Sequence, residues 1–328
     1  MRRRISRLSG LRMNSVAVIG AGAWGTALAL HLARAGRTVT LWARDAGLQE
    51  RRVSNRLPGV VLPASILVTP DLPEADVVLL AVPVQHLRSV VARLPPGGPL
   101  VMCAKGVEAY RLLLPLEILA ELHPGRPAAV LSGPNFAHEI AAGLPAAAVV
   151  AGTNPGVRAN VIGALATPGF RLYGNGDPIG AQAGGAAKNV IAIAAGAVIG
   201  AGLGENARAA LVTRGLAEIS RFAVALGGRA DTVAGLSGLG DLFRTCAGPA
   251  SRNYSLGLEL GAGVPLAAIL GARTAVTEGV VTAPALLARA ASVGVSLPIC
   301  AAVVALLDGT KTIRGSIDAI LSRPLRDE

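Results

Sequence analysis

The chain has 328 residues, 52% of them hydrophobic and only 3% aromatic, with 41 glycines and a formal charge of +11. That length suits two cores rather than one, and an aliphatic composition of this kind excludes a disordered chain. The charge does not indicate a nucleic-acid binder: Arg2, Arg3, Arg4, Arg7 and Arg12 crowd the start, the excess left without them is about +6 and thinly spread, and aromatics for a base-stacking platform are lacking.

Residues 1–12 are basic and lack the apolar core of a secretory signal, so they read as a disordered leader or as the product of an upstream start ahead of Met13. A short apolar strand at 16–19 follows, then Gly20, Gly22 and Gly25 in G-x-G-x-x-G spacing, an Ala- and Leu-rich helix, and a second strand at 38–42. This order suits a dinucleotide. The first glycine makes the turn, the second lets backbone amides approach the pyrophosphate, and the third lets helix and strand pack closely. After the second strand, Arg44 suits the extra phosphate of NADP and Asp45 the ribose hydroxyl of NAD. The reading leans to NADP through Arg44 and leaves NAD open.

Further apolar runs at 75–82, 99–104, 128–132 and 146–152 predict strands covered on both faces by helices. Loops at the carboxyl ends of such strands build the site. That places Val82 and Pro83, Lys105 and Gly106, and the run Ser132, Gly133, Pro134, Asn135, Phe136 and Ala137 beside the cofactor.

From about Asp177 strand signals give way to helices, which divides the chain into a dinucleotide-binding half, 13–177, and an all-α half, 178–328. The stretch from Pro178 to Gly204 carries one ionisable side chain, Lys188, and is long enough to span a bilayer. Its many glycines and its central charge favour a buried helix, so no membrane span is expected. A helix over 205–226 reads as a buried scaffold element, with Arg214, Glu218 and Arg221 along one polar edge. Cys103, Cys246 and Cys300 are too few and too distant for a disulfide framework or metal knuckle, which suits a reducing cytoplasm. His31, His86, His123 and His138 are equally scattered, and no catalytic metal is expected.

Three polar motifs interrupt the apolar second half: Lys188 with Asn189, Gly240 with Asp241, and Ser251, Arg252 and Asn253. If a hydride passes between a nicotinamide and a carbonyl carbon, a proton must be handled on the oxygen, and a lysine desolvated or set beside a second cation such as Lys105 is suited to that. Asp241 then orients the ammonium, Asn189 binds substrate, and Arg252 takes a phosphate through its planar fork. The plainer alternative is that Lys188 pairs with a carboxylate and Arg252 and Asn253 form a capped loop.

Taken together, "GAGAWGTALA", "LWARD", "LPG", "AKG", "SGPNFAHEIAAGLP", "GGAAKNVIAIAAG", "GENARAALVTRGLAEISR", "GLSGLGDLFRTC" and "SRNYSLG" resemble, in order, the NAD(P)-dependent glycerol-3-phosphate dehydrogenases of bacterial type. The resemblance implies a Rossmann domain followed by a helical domain like that of 6-phosphogluconate dehydrogenase. It also implies interconversion of dihydroxyacetone phosphate and sn-glycerol 3-phosphate, feeding phospholipid synthesis, in a cytoplasmic homodimer.

By position it makes Lys188 the proton donor and acceptor, with Lys105, Asn189 and Asp241 beside it. It gives Gly133, Asn135, Thr245, Ser251, Arg252 and Asn253 to the substrate. Gly20, Gly22, Ala23, Trp24, Gly25, Arg44, Ala137, Val276 and Glu278 go to the cofactor, which Lys105 and Arg252 also reach. Ala23 departs from the serine usual at that place. A 3-hydroxyacid dehydrogenase, which shares the glycine turn and helical lysine but recognises a carboxylate, is the alternative.

Overall fold

The structure, a computed structural model, describes residues 15–273 and 276–316. The basic leader 1–12, Met13 and the end of the helical half beyond 316 lie outside these residues. Among the described residues eight strands form one sheet: β1 (Ser15–Ile19), β2 (Thr38–Trp42), β3 (Ile66–Thr69), β4 (Val77–Leu80), β5 (Leu100–Met102), β6 (Ala128–Ser132), β7 (Ala146–Ala151) and β8 (Phe170–Asn175). Their spatial order is β3-β2-β1-β4-β5-β6-β7-β8. All neighbours are parallel except β6 and β7.

Alternation along β1 shows why the central strands are continuously apolar. Val16 and Val18 enter one core, while Ala17 and Ile19 enter the core on the opposite face. The helices of this half are α1 (Ala23–Arg34), α2 (Leu48–Arg51), α3 (Val84–Val91), α4 (Pro115–Leu122), α5 (Ala137–Ala142) and α6 (Pro155–Leu165). Register aligns Ile19 with Leu80 and Leu80 with Met102, so the loops leaving β1, β4 and β5 emerge side by side.

The strands expected at 75–82 and 99–104 are shorter than their apolar runs, because the last residues of each leave the sheet as loops. Two strands escaped the apolar-run reading, β3 and β8. Both are edge strands with alternating burial: Leu67 is exposed in β3, and β8 mixes Arg171 and Asn175 with its apolar residues. A search for continuous apolar runs detects strands covered on two faces and passes over edges.

The remaining described elements are helices: α7 (Pro178–Gly200), α8 (Gly204–Ala225), α9 (Ala230–Ala234), α10 (Asp241–Cys246), α11 (Arg252–Gly261), α12 (Leu266–Gly271), α13 (Glu278–Ser292) and α14 (Pro298–Leu307), with a π turn at Leu236–Gly240 entering α10. Asp177 starts α7, accepting from Gly180 N at 2.9 Å through Oδ1 and from Arg229 N at 2.8 Å through Oδ2. Among the described residues α7 alone is long and apolar enough to cross a membrane, and 89% of that stretch is buried inside the fold.

The small residues of α7 have a specific use. A Cβ on Gly196 would lie 2.0 Å from Tyr254 O, one on Gly200 2.0 Å from Leu258 O, and one on Gly257 1.9 Å from Ile193 O. Helices α7 and α11 therefore cross with their backbones in contact.

The helix read at 205–226 is present as α8, but it is not a buried scaffold. Its buried residues are Gly215, Glu218, Ile219, Phe222 and Ala223, and the remainder faces outward or is half-covered. Nor do Arg214, Glu218 and Arg221 form one polar edge. Glu218 turns inward and caps α14, accepting from Ile299 N at 2.8 Å and Cys300 N at 3.5 Å. Burial pushes its carboxyl up from the ordinary range. Helical spacing shows which residues share a face, not whether that face meets solvent or another helix.

Candidate active site

The carboxyl ends of the parallel strands and the helical half enclose a cleft of about 1120 Å³. At its entrance Gly20 has φ +117°, a conformation that favours glycine, and a Cβ there would lie 2.8 Å from Ala81 O. Gly25 lets α1 press onto the turn, since a Cβ would fall 1.9 Å from Gly20 O. Gly22 is different: a Cβ there meets nothing within 4 Å, so its missing side chain leaves open space at the cleft wall. Gly22 starts α1 without a side-chain cap, and the leading N–H groups of the helix remain available to an anion. These residues fit a dinucleotide pyrophosphate.

Arg44, Asp45 and Arg51 line the rim beyond β2. Asp45 is already engaged, through Oδ2 with Arg51 at 2.6 Å and through Oδ1 with Gly47 N at 3.1 Å. The hydrogen bond from Arg51 holds its carboxyl below the usual range.

At the opposite end lies the charge that stood out on α7. Lys188 is 7% exposed and lines the cleft, and its Nζ donates to Asp241 Oδ1 and, at 3.1 Å, to Thr245 Oγ1. The other carboxylate oxygen of Asp241 accepts from Lys105 Nζ at 2.5 Å, and Lys105 also reaches Gly133 O at 3.3 Å. One buried carboxylate thus bridges an ammonium from each half of the chain. Thr245 Oγ1 donates to Asp241 O at 2.6 Å and is itself fixed. Burial lowers the Lys188 pKa to about 8, Lys105 adding to the fall and Asp241 partly offsetting it.

The third group stands where α11 begins. Ser251 caps that helix, its Oγ accepting from Tyr254 N at 3.3 Å. Arg252 is exposed on the cleft, steadied by a 2.9 Å bond from Nη1 to Val276 O, and its own carbonyl accepts from Arg273 at 2.8 Å. Asn253 also lines the cleft, and its Oδ1 accepts from Gly279 N at 3.0 Å. Glu278 lies close by; burial raises its pKa, against the influence of Arg252 first and the two lysines next.

The structure brings Gly20, Gly22, Ala23, Trp24, Arg44, Lys105, Gly133, Asn135, Ala137, Lys188, Asn189, Thr245, Ser251, Arg252, Asn253, Val276 and Glu278 to one cleft. Gly25 and Asp241 stand behind its surface, Gly25 as a packing residue and Asp241 as the bridge between the lysines. The plainer alternatives hold at the same time: Lys188 does pair with a carboxylate, and the Ser251 motif does cap a helix. Both arrangements face the cleft all the same. Ser132, expected beside the cofactor from its place in the same strand-end run as Gly133 but given no role there, also lines the cleft, as do His86 and His138, which sequence reasoning passed over. Among the described residues no group of three or more His, Cys, Asp or Glu side chains could hold a metal ion.

The chain matches the family models for the NAD-dependent glycerol-3-phosphate dehydrogenase N-terminus over residues 15–157 and C-terminus over residues 177–318.

The chain belongs to the NAD-dependent glycerol-3-phosphate dehydrogenase family.

It is 61% identical over 317 residues to a glycerol-3-phosphate dehydrogenase [NAD(P)+] of Acidiphilium cryptum, covering 95% of this chain and 98% of that one. The corresponding protein of Gluconobacter oxydans is 54% identical, with 94% and 97% covered. The fold is similar to the crystal structure of glycerol-3-phosphate dehydrogenase from Coxiella burnetii, with a TM-score of 0.90, 35% identity, and 94% of this chain and 99% of that chain covered. Membership makes the cofactor of the glycine turn NAD(P) and leaves the 3-hydroxyacid alternative unfavoured.

Proposed function

We propose that this chain interconverts dihydroxyacetone phosphate and sn-glycerol 3-phosphate with NADPH or NADH. The observation that carries the reading is that Lys188 lines one cleft together with the glycine turn of one half and the Arg252 and Asn253 anchor of the other. When bound, the nicotinamide supplies the hydride for reduction and receives it in the reverse reaction. Arg252 and Asn253 hold the substrate phosphate, Asn189 bonds a substrate oxygen, and Lys105 adds positive charge beside the ketone. Lys188 polarises the C2 carbonyl and gives its proton to the oxygen as the alkoxide forms. Asp241 keeps the ammonium aimed and charged. Oxidation runs the same path backward, with neutral Lys188 taking the alcohol proton.

The reading is tested by mixing the purified chain with NADPH or NADH and dihydroxyacetone phosphate, and separately with 3-oxoacids. No oxidation of either cofactor with the phosphate substrate would reject it. Replacing Arg252 with alanine is expected to raise KM for the phosphate substrate roughly tenfold to a hundredfold, the worth of one charge-assisted contact at about 1.5–3 kcal/mol. An unchanged KM removes Arg252 from the site.

The reading includes a preference for NADPH. Arg44 lines the rim, whereas the carboxylate that would hold an NAD ribose is tied to Arg51. Arg44→Ala is expected to raise KM for NADPH about tenfold and leave KM for NADH near the native value. Equal changes for both cofactors would contradict this. The setting that goes with the reading is a cytoplasmic homodimer supplying the glycerol backbone of phospholipids. The reducing cytoplasm in that setting fits three buried free cysteines, of which burial pushes Cys103 and Cys246 up to about 12. Light scattering or sedimentation tests the dimer.

A further inference from the structure

Polar side chains shielded from water normally find partners, and one left without a bond is destabilising unless a ligand supplies it. Among the described residues several buried side-chain oxygens lack a partner, but only Ser132 Oγ and Asn135 Oδ1 belong to residues lining the cleft. Asn135 is held through its other end, Nδ2 donating to Ala147 O at 2.9 Å. Ser132 has no such tie. It ends β6, is 4% exposed, and its Oγ lies 3.6 Å from the point where a Cβ on Gly185 would stand. The stem of Lys105 approaches the same point, Cγ at 3.3 Å, and Gly185 precedes Lys188 by about one helical turn. The orphan hydroxyl therefore belongs to the neighbourhood of the two lysines.

We infer that Ser132 Oγ hydrogen-bonds the free hydroxyl of dihydroxyacetone phosphate, and so reads the end of the substrate opposite the phosphate. The inference rests on the function proposed above. With the phosphate assigned to Arg252 and Asn253 and the ketone oxygen to Lys188, the free hydroxymethyl group is the polar end of the substrate to which no residue has been specifically assigned. A serine hydroxyl both donates and accepts, which matches another hydroxyl. A site built to bond a substrate hydroxyl also rejects the analogue that lacks it, because the protein group is then stranded.

The test compares native enzyme with Ser132→Ala on dihydroxyacetone phosphate and on hydroxyacetone phosphate, in which a methyl replaces the free hydroxymethyl. Native enzyme is expected to prefer the former. Ser132→Ala should lose about tenfold in kcat/KM for dihydroxyacetone phosphate and nothing for the analogue. Its thermal midpoint should be unchanged or higher, because a buried unpaired hydroxyl has been removed, and its affinity for NADPH should be native. Equal losses on both substrates, no loss on either, or a change confined to NADPH affinity would each overturn the inference. Ser132→Cys, which keeps the volume and weakens the bond, should show the same selective loss in smaller measure, and it decides the matter if the alanine variant folds poorly. Native enzyme that fails to turn over dihydroxyacetone phosphate overturns the proposed function itself; active native enzyme with an indifferent Ser132→Ala overturns only the role of Ser132.

Discussion

The Lys188→Met variant is expected to reduce dihydroxyacetone phosphate at least about a hundredfold more slowly than native enzyme while binding NADPH normally. Methionine replaces a buried ammonium with an apolar chain of similar length, in surroundings made of Ala, Val and Ile, so the helix itself has no reason to fail. Asp241 keeps its bond to Lys105, and no buried charge is stranded. A thermal midpoint near the native one, together with lost turnover, identifies a proton donor; turnover near the native rate would remove Lys188 from the chemistry.

The pH profile of native enzyme gives the same residue a second signature. With its pKa lowered to about 8 by burial, Lys188 is charged at neutral pH and loses its proton as pH rises through that value. Ketone reduction needs the charged form, so kcat for reduction should fall above about pH 8. Alcohol oxidation needs the neutral amine, so it should rise over the same range. Both limbs should be missing from the residual activity of the methionine variant.

Asp241→Asn is expected to have the larger effect on the fold. Asp241 is 1% exposed and is the carboxylate partner of both Lys105 and Lys188. Losing one member of a buried ion pair typically costs about 3–5 kcal/mol, because the other charge is left uncompensated. Lys188 has an escape that softens this cost: without Asp241 only burial and Lys105 act on it, both lowering its pKa further, and it sheds its proton. The variant should therefore melt at a lower temperature and reduce ketone about a hundredfold more slowly at neutral pH, with partial recovery as the pH is lowered. Native stability with a native pH profile would show that the bridge is dispensable. Together the two substitutions separate removal of the proton from removal of what holds it.

How far the sequence could be read depended on whether each feature was local. The glycine turn is local, and its spacing alone predicts the strand, turn and helix that form. Lys188 announced itself because a charge in an apolar run needs an explanation. Asp241 and Lys105 were named as its neighbours by their chemistry, but how they meet was hidden: Asp241 lies 53 residues from Lys188 and 136 residues from Lys105. Only the folded chain shows that one carboxylate serves both ammonium groups. Ser132 looked like part of a loop signal, and whether its hydroxyl has a partner is a property of packing. The edge strands β3 and β8 and the inward turn of Glu218 were obscured for related reasons, since a neighbour distant in sequence decides what each residue faces.

The meeting of α7 and α11 bears on how the enzyme works. Lys188 rides on the first of these helices, and Arg252 and Asn253 open the second. Where main chain rests on main chain, neither helix can slide or roll without collision, so the separation between proton source and phosphate anchor is set as though both were fixed to a single ruler. A three-carbon phosphate laid along that ruler is measured from both ends, and a longer or shorter molecule that grips the anchor brings the wrong carbon to the lysine.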